Sequence, residues 1–270
     1  MCGKLTYERR QMINQGGMAT LTLVVPPDGQ PLVLREIQPR LRWNLWMHRR
    51  FLAGAKIRKL VSPHPNIVAS VEYGYHGLRP YELIEYCHDA PNLNELILRK
   101  DPRIIASSLE ILRQACAAIA HMHAKGFLHL DVKAENFLVM EPEAASLLVK
   151  LTDFDLSRKI GDRHDSHRAG TVNYMSPEML QAGRCGVEAD IFAFGVIAYW
   201  ILAGRKPFSG FTVEAMRRQQ LARNAFIPEP AKLNPQIAPK LSWIVMRCLE
   251  KDPAKRYPSM PYLQMELAKL

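Results

Sequence analysis

With 270 residues, 48% of them apolar, the chain can form one large domain or two modest lobes, and it is too apolar to be disordered overall. It holds no run of about 18 apolar residues, which argues against a membrane span, and its first residues carry no apolar signal stretch. The five cysteines are scattered and never in Cys-x-x-Cys spacing, so a reducing cytoplasm is expected rather than metal or disulfide chemistry. The net charge of +10 is concentrated. No Asp or Glu lies between Ile37 and Val71, whereas Arg40, Arg42, Arg49, Arg50, Lys56, Arg58 and Lys59 all do. This stretch reads first as a solvated helix face and second as a docking surface for acidic partners, nucleic acid or anionic lipid. Trp43 and Trp46 lack the alternation of an RNA-binding module, so nucleic acid is not the expected partner.

In chain order, residues 19–25 and 31–37 are β-rich runs joined by the turn sequence Pro26-Pro-Asp-Gly29. A helix is predicted over 43–61, stopped by Pro63 and Pro65. Strands at 67–75 and 81–86 follow. Apolar spacing through Ile105, Leu109, Leu112, Cys116 and Ile119 predicts one helix over 104–124, ended by Gly126. Short strands at 137–140 and 147–151 come next, then helices at 188–202, 213–223, 239–249 and 262–270. A small β-rich lobe is thus followed by a larger helical lobe, an α+β class of fold.

The run His129-Leu-Asp131-Val-Lys133-Ala-Glu-Asn136 places a carboxylate, an ammonium and an amide within eight residues, and Asp153-Phe-Asp155 begins 17 residues past the Asn. Phosphoryl transfer needs such a set: a carboxylate to orient a hydroxyl, a cation beside the moving phosphate, and oxygen ligands for magnesium. Three more pieces follow in order: Gly170-Thr-Val-Asn-Tyr-Met-Ser-Pro-Glu178, Asp190-Ile-Phe-Ala-Phe-Gly195 and Lys251-Asp-Pro-Ala-Lys-Arg256.

Together these five pieces resemble the catalytic loop, the D-F-G motif and the downstream segments of eukaryotic-type Ser/Thr protein kinases of the bacterial form. The resemblance implies a bilobal protein-kinase fold over 1–270, with an N-lobe at 1–87 and a C-lobe at 88–270. It implies ATP and Mg2+ as cofactors and a protein substrate bearing Ser or Thr, with a regulatory protein as a further partner. It implies that Asp131 and Lys133 are catalytic and that Asn136 and Asp153 hold the metal. Thr171 would bridge Asp131 and Lys133, Glu178 would pair with Arg256, and Asp190 would tie the catalytic-loop backbone. Gly16 and Gly17 fall in a degenerate glycine-rich loop, where Asn14 and Ala19 replace two glycines. Leu21, Val33 and Leu138 would sandwich adenine. Ile84, Glu85 and Cys87 would form the hinge, with Ile84 as gatekeeper.

The chain departs from the family pattern in four further places. Leu130 stands for an Arg, Asp155 for a Gly, Arg35 for the strand Lys, and the helix Glu that normally holds that Lys is missing from 37–71. Asp155 would either stiffen its loop or add a carboxylate near the metals. Glu36 is no substitute for the helix Glu, because strand alternation points it away from Arg35. Arg35 would therefore be positioned by nucleotide and packing alone. The expected activity is transfer of the ATP γ-phosphate to Ser or Thr at a full or reduced rate. A pseudokinase that signals by conformation is the second reading, and a basic adaptor using 40–59 is the third.

Overall fold

The computed structural model describes residues 6–27, 29–141, 146–162, 172–182, 186–208, 210, 212–222 and 225–270. The chain divides into two compact units, Met1–Asp89 and Ala90–Leu270.

The first unit is a five-stranded antiparallel sheet with one helix. The strands are β1 (Glu8–Gln15), β2 (Ala19–Val25), β3 (Leu32–Ile37), β4 (Ser70–His76) and β5 (Arg79–Glu85), in the order β1-β2-β3-β5-β4. The helix is α1 (Leu45–Val61). Strand β3 is central and buried along nearly its whole length, so each of its two faces needs a cover. On one face Leu34 packs with Val24, Tyr81 and Leu83, and Tyr7 and Leu32 close the cluster. Glu36 shares that face and pairs with Arg9 at 2.8 Å and with His76 at 3.6 Å, as the alternation of the strand requires. The other face carries Val33 and Arg35, opposite Ile84 and Glu82 in the β3–β5 ladder. Helix α1 starts at Asn44, whose side chain accepts from the Met47 N–H at 3.1 Å. It ends where Pro63 forces Ser62 into an extended conformation.

The second unit is mainly helical: α2 (Leu93–Leu98), α3 (Pro102–Ala106), α4 (Ser108–Ala124), α5 (Pro177–Ala182), α6 (Val187–Ala203), α7 (Val213–Leu221), α8 (Pro230–Leu233), α9 (Pro239–Cys248) and α10 (Met260–Ala268). Four short strands pair two by two: β6 (Phe127–Leu128) with β9 (Arg158–Lys159), and β7 (Phe137–Met140) with β8 (Leu148–Leu151). Helix α6 is the central element, buried from Ala189 to Leu202. Gly195 lets α9 come close, since a Cβ there would lie 2.7 Å from Cys248 Cβ. Gly204 ends α6 in the left-handed conformation at φ 68°. The helix expected over 104–124 is two helices, because Ser107 leaves helical geometry at ψ 16°.

Candidate functional site

The catalytic residues foreseen in the sequence lie in the second unit, on the loop between β6 and β7 and on the segment after β8. Asp190, in the first turn of α6, fixes the loop. Its Oδ2 accepts from the His129 N–H at 2.8 Å and meets His123 Nε2 at 2.9 Å, while its Oδ1 accepts from the Leu130 N–H at 2.9 Å. These bonds hold Leu130 at φ 63°, a left-handed conformation that a leucine adopts only when its surroundings impose it. The His129 ring lies edge-on to Phe154 at 5.3 Å and its Nε2 reaches the Thr152 carbonyl at 3.2 Å. The Thr152 N–H bonds the Asn136 carbonyl at 2.9 Å. Two segments distant in sequence are thereby laced together.

Asp131 sits at the centre. Lys133 Nζ donates to its Oδ2 at 2.6 Å, and Asn136 Nδ2 donates to the same oxygen at 3.1 Å and to the Asp131 carbonyl at 2.8 Å. Burial raises the Asp131 carboxyl above the ordinary carboxylate value. Lys133 works against that rise, and the charge of Asp153 adds to it. Asp153 has φ 60° and its Oδ1 accepts from the Asp155 N–H at 3.4 Å. With Asn136 Nδ2 engaged on Asp131, its amide oxygen is the atom left to coordinate. An amide oxygen and a carboxylate are hard donors of the kind Mg2+ takes, so the donor set fits that ion. Asp155 is buried and is not left-handed, so a side chain is accommodated at the glycine position of the D-F-G motif.

Below the loop, Leu130 lines a small hollow with Met175 and Met179, beside Asp131 and Tyr174. Leu130 thus shares the hollow with two methionines and with the Asp131 and Asp190 residues. Tyr174 donates to Glu135 at 3.3 Å, and Lys206 lies over the rings of Tyr174 at 5.1 Å and Trp200 at 4.2 Å. Glu178 and Arg256 form the expected pair, two parallel bonds of 2.7 and 2.8 Å, with the arginine almost fully buried. Thr171 and residues 163–170 lie outside the described residues, as do Cys2 and Cys185.

The nucleotide residues foreseen in the first unit are Gly16, Gly17, Leu21, Val33, Arg35, Glu85 and Cys87, whereas Leu138 belongs to β7 of the second. Val33 pairs across the ladder with Ile84, and Leu21 with Arg35. The Glu85 N–H bonds the Ala69 carbonyl, its carboxylate accepts from the Ala69 N–H, and Cys87 is buried. Gly16 and Gly17 follow β1 and are tied from the β3–α1 connection. Gln38 Nε2 donates to the Gly16 carbonyl and Arg40 Nη2 to the Gly17 carbonyl, the latter at 2.9 Å. Arg40 also bonds Gln38. The sequence placed Arg40 on a solvated face and gave Gln38 no role. Nothing in the local pattern announces contacts made 22 and 23 residues away.

Arg35 corrects a second expectation. It is not left to nucleotide and packing, because its Nη1 lies 2.6 Å from Glu82 Oε2, with both side chains buried. Arg58 Nη1 lies 3.3 Å from the same oxygen, and the Arg35 guanidinium stands 5.0 Å from the centre of the Phe51 ring. No acid lies in 37–71, and β5 supplies one instead through strand register. Arg58 itself, read as part of a solvated face, is fully buried.

The protein kinase domain family matches residues 7–267. The chain is 30% identical over 266 residues to the serine/threonine-protein kinase Pkn1 of Myxococcus xanthus, covering 96% of this chain and 37% of that protein. It is 29% identical over 274 residues to PknB of Mycolicibacterium smegmatis, with 98% and 43% covered. Against PrkC of Bacillus subtilis the figures are 28% over 270 residues, with 97% and 40% covered. The chain therefore spans about two fifths of the length of these relatives.

Proposed function

The chain belongs to the protein kinase domain family, and from that premise we propose that it transfers the γ-phosphate of Mg-ATP to serine or threonine hydroxyls of a protein substrate. The observation that carries this reading is the Asp131–Lys133–Asn136 cluster with Asp153 at its side. Asp131 accepts the hydroxyl proton as the substrate oxygen bonds to the γ-phosphorus. The bond from that phosphorus to the β–γ bridging oxygen breaks, and ADP leaves with the bridging oxygen's charge. Lys133 occupies one carboxylate oxygen of Asp131, which turns the other toward the hydroxyl, and its ammonium offsets charge on the moving phosphoryl group. Asn136 and Asp153 would hold Mg2+, which when bound neutralises the phosphate oxygens. Gly16 and Gly17 would cover the phosphates, Arg35 would contact them, and Leu21, Val33, Leu138 and the segment 84–87 would receive adenine.

A cytoplasmic location is supported by three buried free cysteines, Cys87, Cys116 and Cys248. Among the described residues no helix is long and apolar enough to cross a membrane. The test of the function is transfer of radiolabelled γ-phosphate to a pool of Ser- and Thr-containing peptides, with Asp131→Asn alongside. Incorporation should fall at least about 100-fold in the variant, the scale of a lost general base. Equal counts for wild type and variant would leave the chain a pseudokinase.

A further inference from the structure

Three charged side chains from three elements meet inside the first unit. Arg35 comes from β3, Glu82 from β5 and Arg58 from α1, and both arginines address one carboxylate oxygen, at 2.6 and 3.3 Å. Glu82 and Arg58 are fully buried and the Arg35 side chain is 7% exposed. A carboxylate is not taken out of water at such a place unless cations and hydrogen bonds receive it, so the cluster is a built feature rather than a chance surface contact.

The origin of the carboxylate decides what the cluster can do. A carboxylate on a helix reaches a strand cation only when the helix is docked, and the contact can be switched. Glu82 faces Arg35 as its direct partner in an antiparallel ladder, so the pair forms whenever the sheet forms. The helix here brings a cation, Arg58, to the same oxygen, so the charge pattern between helix and sheet is inverted. Phe51 on α1 flanks the Arg35 guanidinium and narrows its freedom further.

We propose that Glu82 is the positioning residue of the nucleotide site, aligning Arg35 from within the sheet, while Arg58 fastens α1 to the same carboxylate. This rests on the reading that Arg35 contacts the phosphates of ATP. In this chain the carboxylate that aligns the strand cation is then in place whether or not the helix is docked. Loosening α1 changes stability and leaves phosphate contact in place.

The experiment uses the full chain, with Mg-ATP titrated by calorimetry, kcat and KM measured in peptide phosphorylation, and thermal melting followed for each variant. Glu82→Gln alone strands two buried guanidiniums and can fail to fold, so the informative variant is Glu82→Gln combined with Arg58→Met. That double variant should melt cooperatively and bind ATP at least ten-fold more weakly, with KM for ATP rising more than kcat falls. Arg58→Met alone should melt lower and hold ATP affinity within three-fold. Adding Arg35→Ala to the double variant should weaken binding by less than three-fold more, because Glu82 acts through Arg35. Wild-type affinity in a folded double variant, or an equal loss in Arg58→Met, would overturn the proposal. If Arg35→Ala in the otherwise native chain binds ATP like wild type, it is the phosphate reading of Arg35 that fails, a result separable from the first two.

Discussion

The Asp190 carboxylate shows how one residue can set a site it does not enter. Burial pushes its pKa up, but the His123 hydrogen bond, the charges of His123 and His129 and the His129 N–H together outweigh that and hold it below the ordinary value. A carboxyl depressed in the fold stabilises it fully above its unfolded pKa of about 4, and that contribution is lost as pH falls through the folded value. The wild-type denaturation midpoint should therefore drop on acidification below about pH 4. Asp190→Asn should start lower by about 1.5–3 kcal/mol, the range for bonds to a charged group, and show a flatter acid limb. Urea titrations between pH 3 and 6 read both effects. Arg35 is the second residue of this kind. Arg35→Ala should weaken Mg-ATP binding by about 1.5–3 kcal/mol, measured by calorimetry.

Among the elements, α1 and its connection to β3 separate bland charges from structural ones. Arg49 is exposed and Arg50 lies over the Trp46 ring, whereas Arg58 is sealed against Glu82. Replacing Arg49 and Arg50 by Gln should move stability by no more than about 0.5 kcal/mol. Arg58→Gln should cost about 3 kcal/mol, because it removes a buried charged partner. Thermal melting of the two variants decides whether a single basic stretch holds two kinds of arginine. The connection itself carries Gln38 and Arg40, which grip the carbonyls of Gly16 and Gly17. Gln38→Ala should weaken binding of a fluorescent ATP analogue several-fold while costing about 1 kcal/mol of stability, one hydrogen bond's worth.

At the scale of the whole molecule, a ligand that binds only the folded chain raises its melting temperature by mass action. At 100 times its dissociation constant, ATP should add about 2.7 kcal/mol, and leaving out Mg2+ should abolish most of the gain. Calorimetric scans with and without the metal test this. The sequence alone determined the fold class, and it made the candidate site of the second unit legible. Asp131, Lys133, Asn136 and Asp153 are candidate chemical groups, His129, Glu178, Asp190 and Arg256 are architectural, and their order along the chain is itself the signal. Strand β1 is not legible in the sequence because all eight of its residues are exposed, which leaves no apolar alternation to read. The break between α3 and α4 is not legible because Ser107 interrupts the helix without changing the apolar spacing. The partner of Arg35 lies 47 residues away, and the hold on the glycine loop comes from Arg40, whose pattern reads as solvent-facing, and from Gln38, for which the pattern implies no role. Such contacts depend on which strands lie side by side and in what register. A linear pattern carries the period of each strand, but pairing is chosen by burial of all the faces at once, and only the folded sheet decides it.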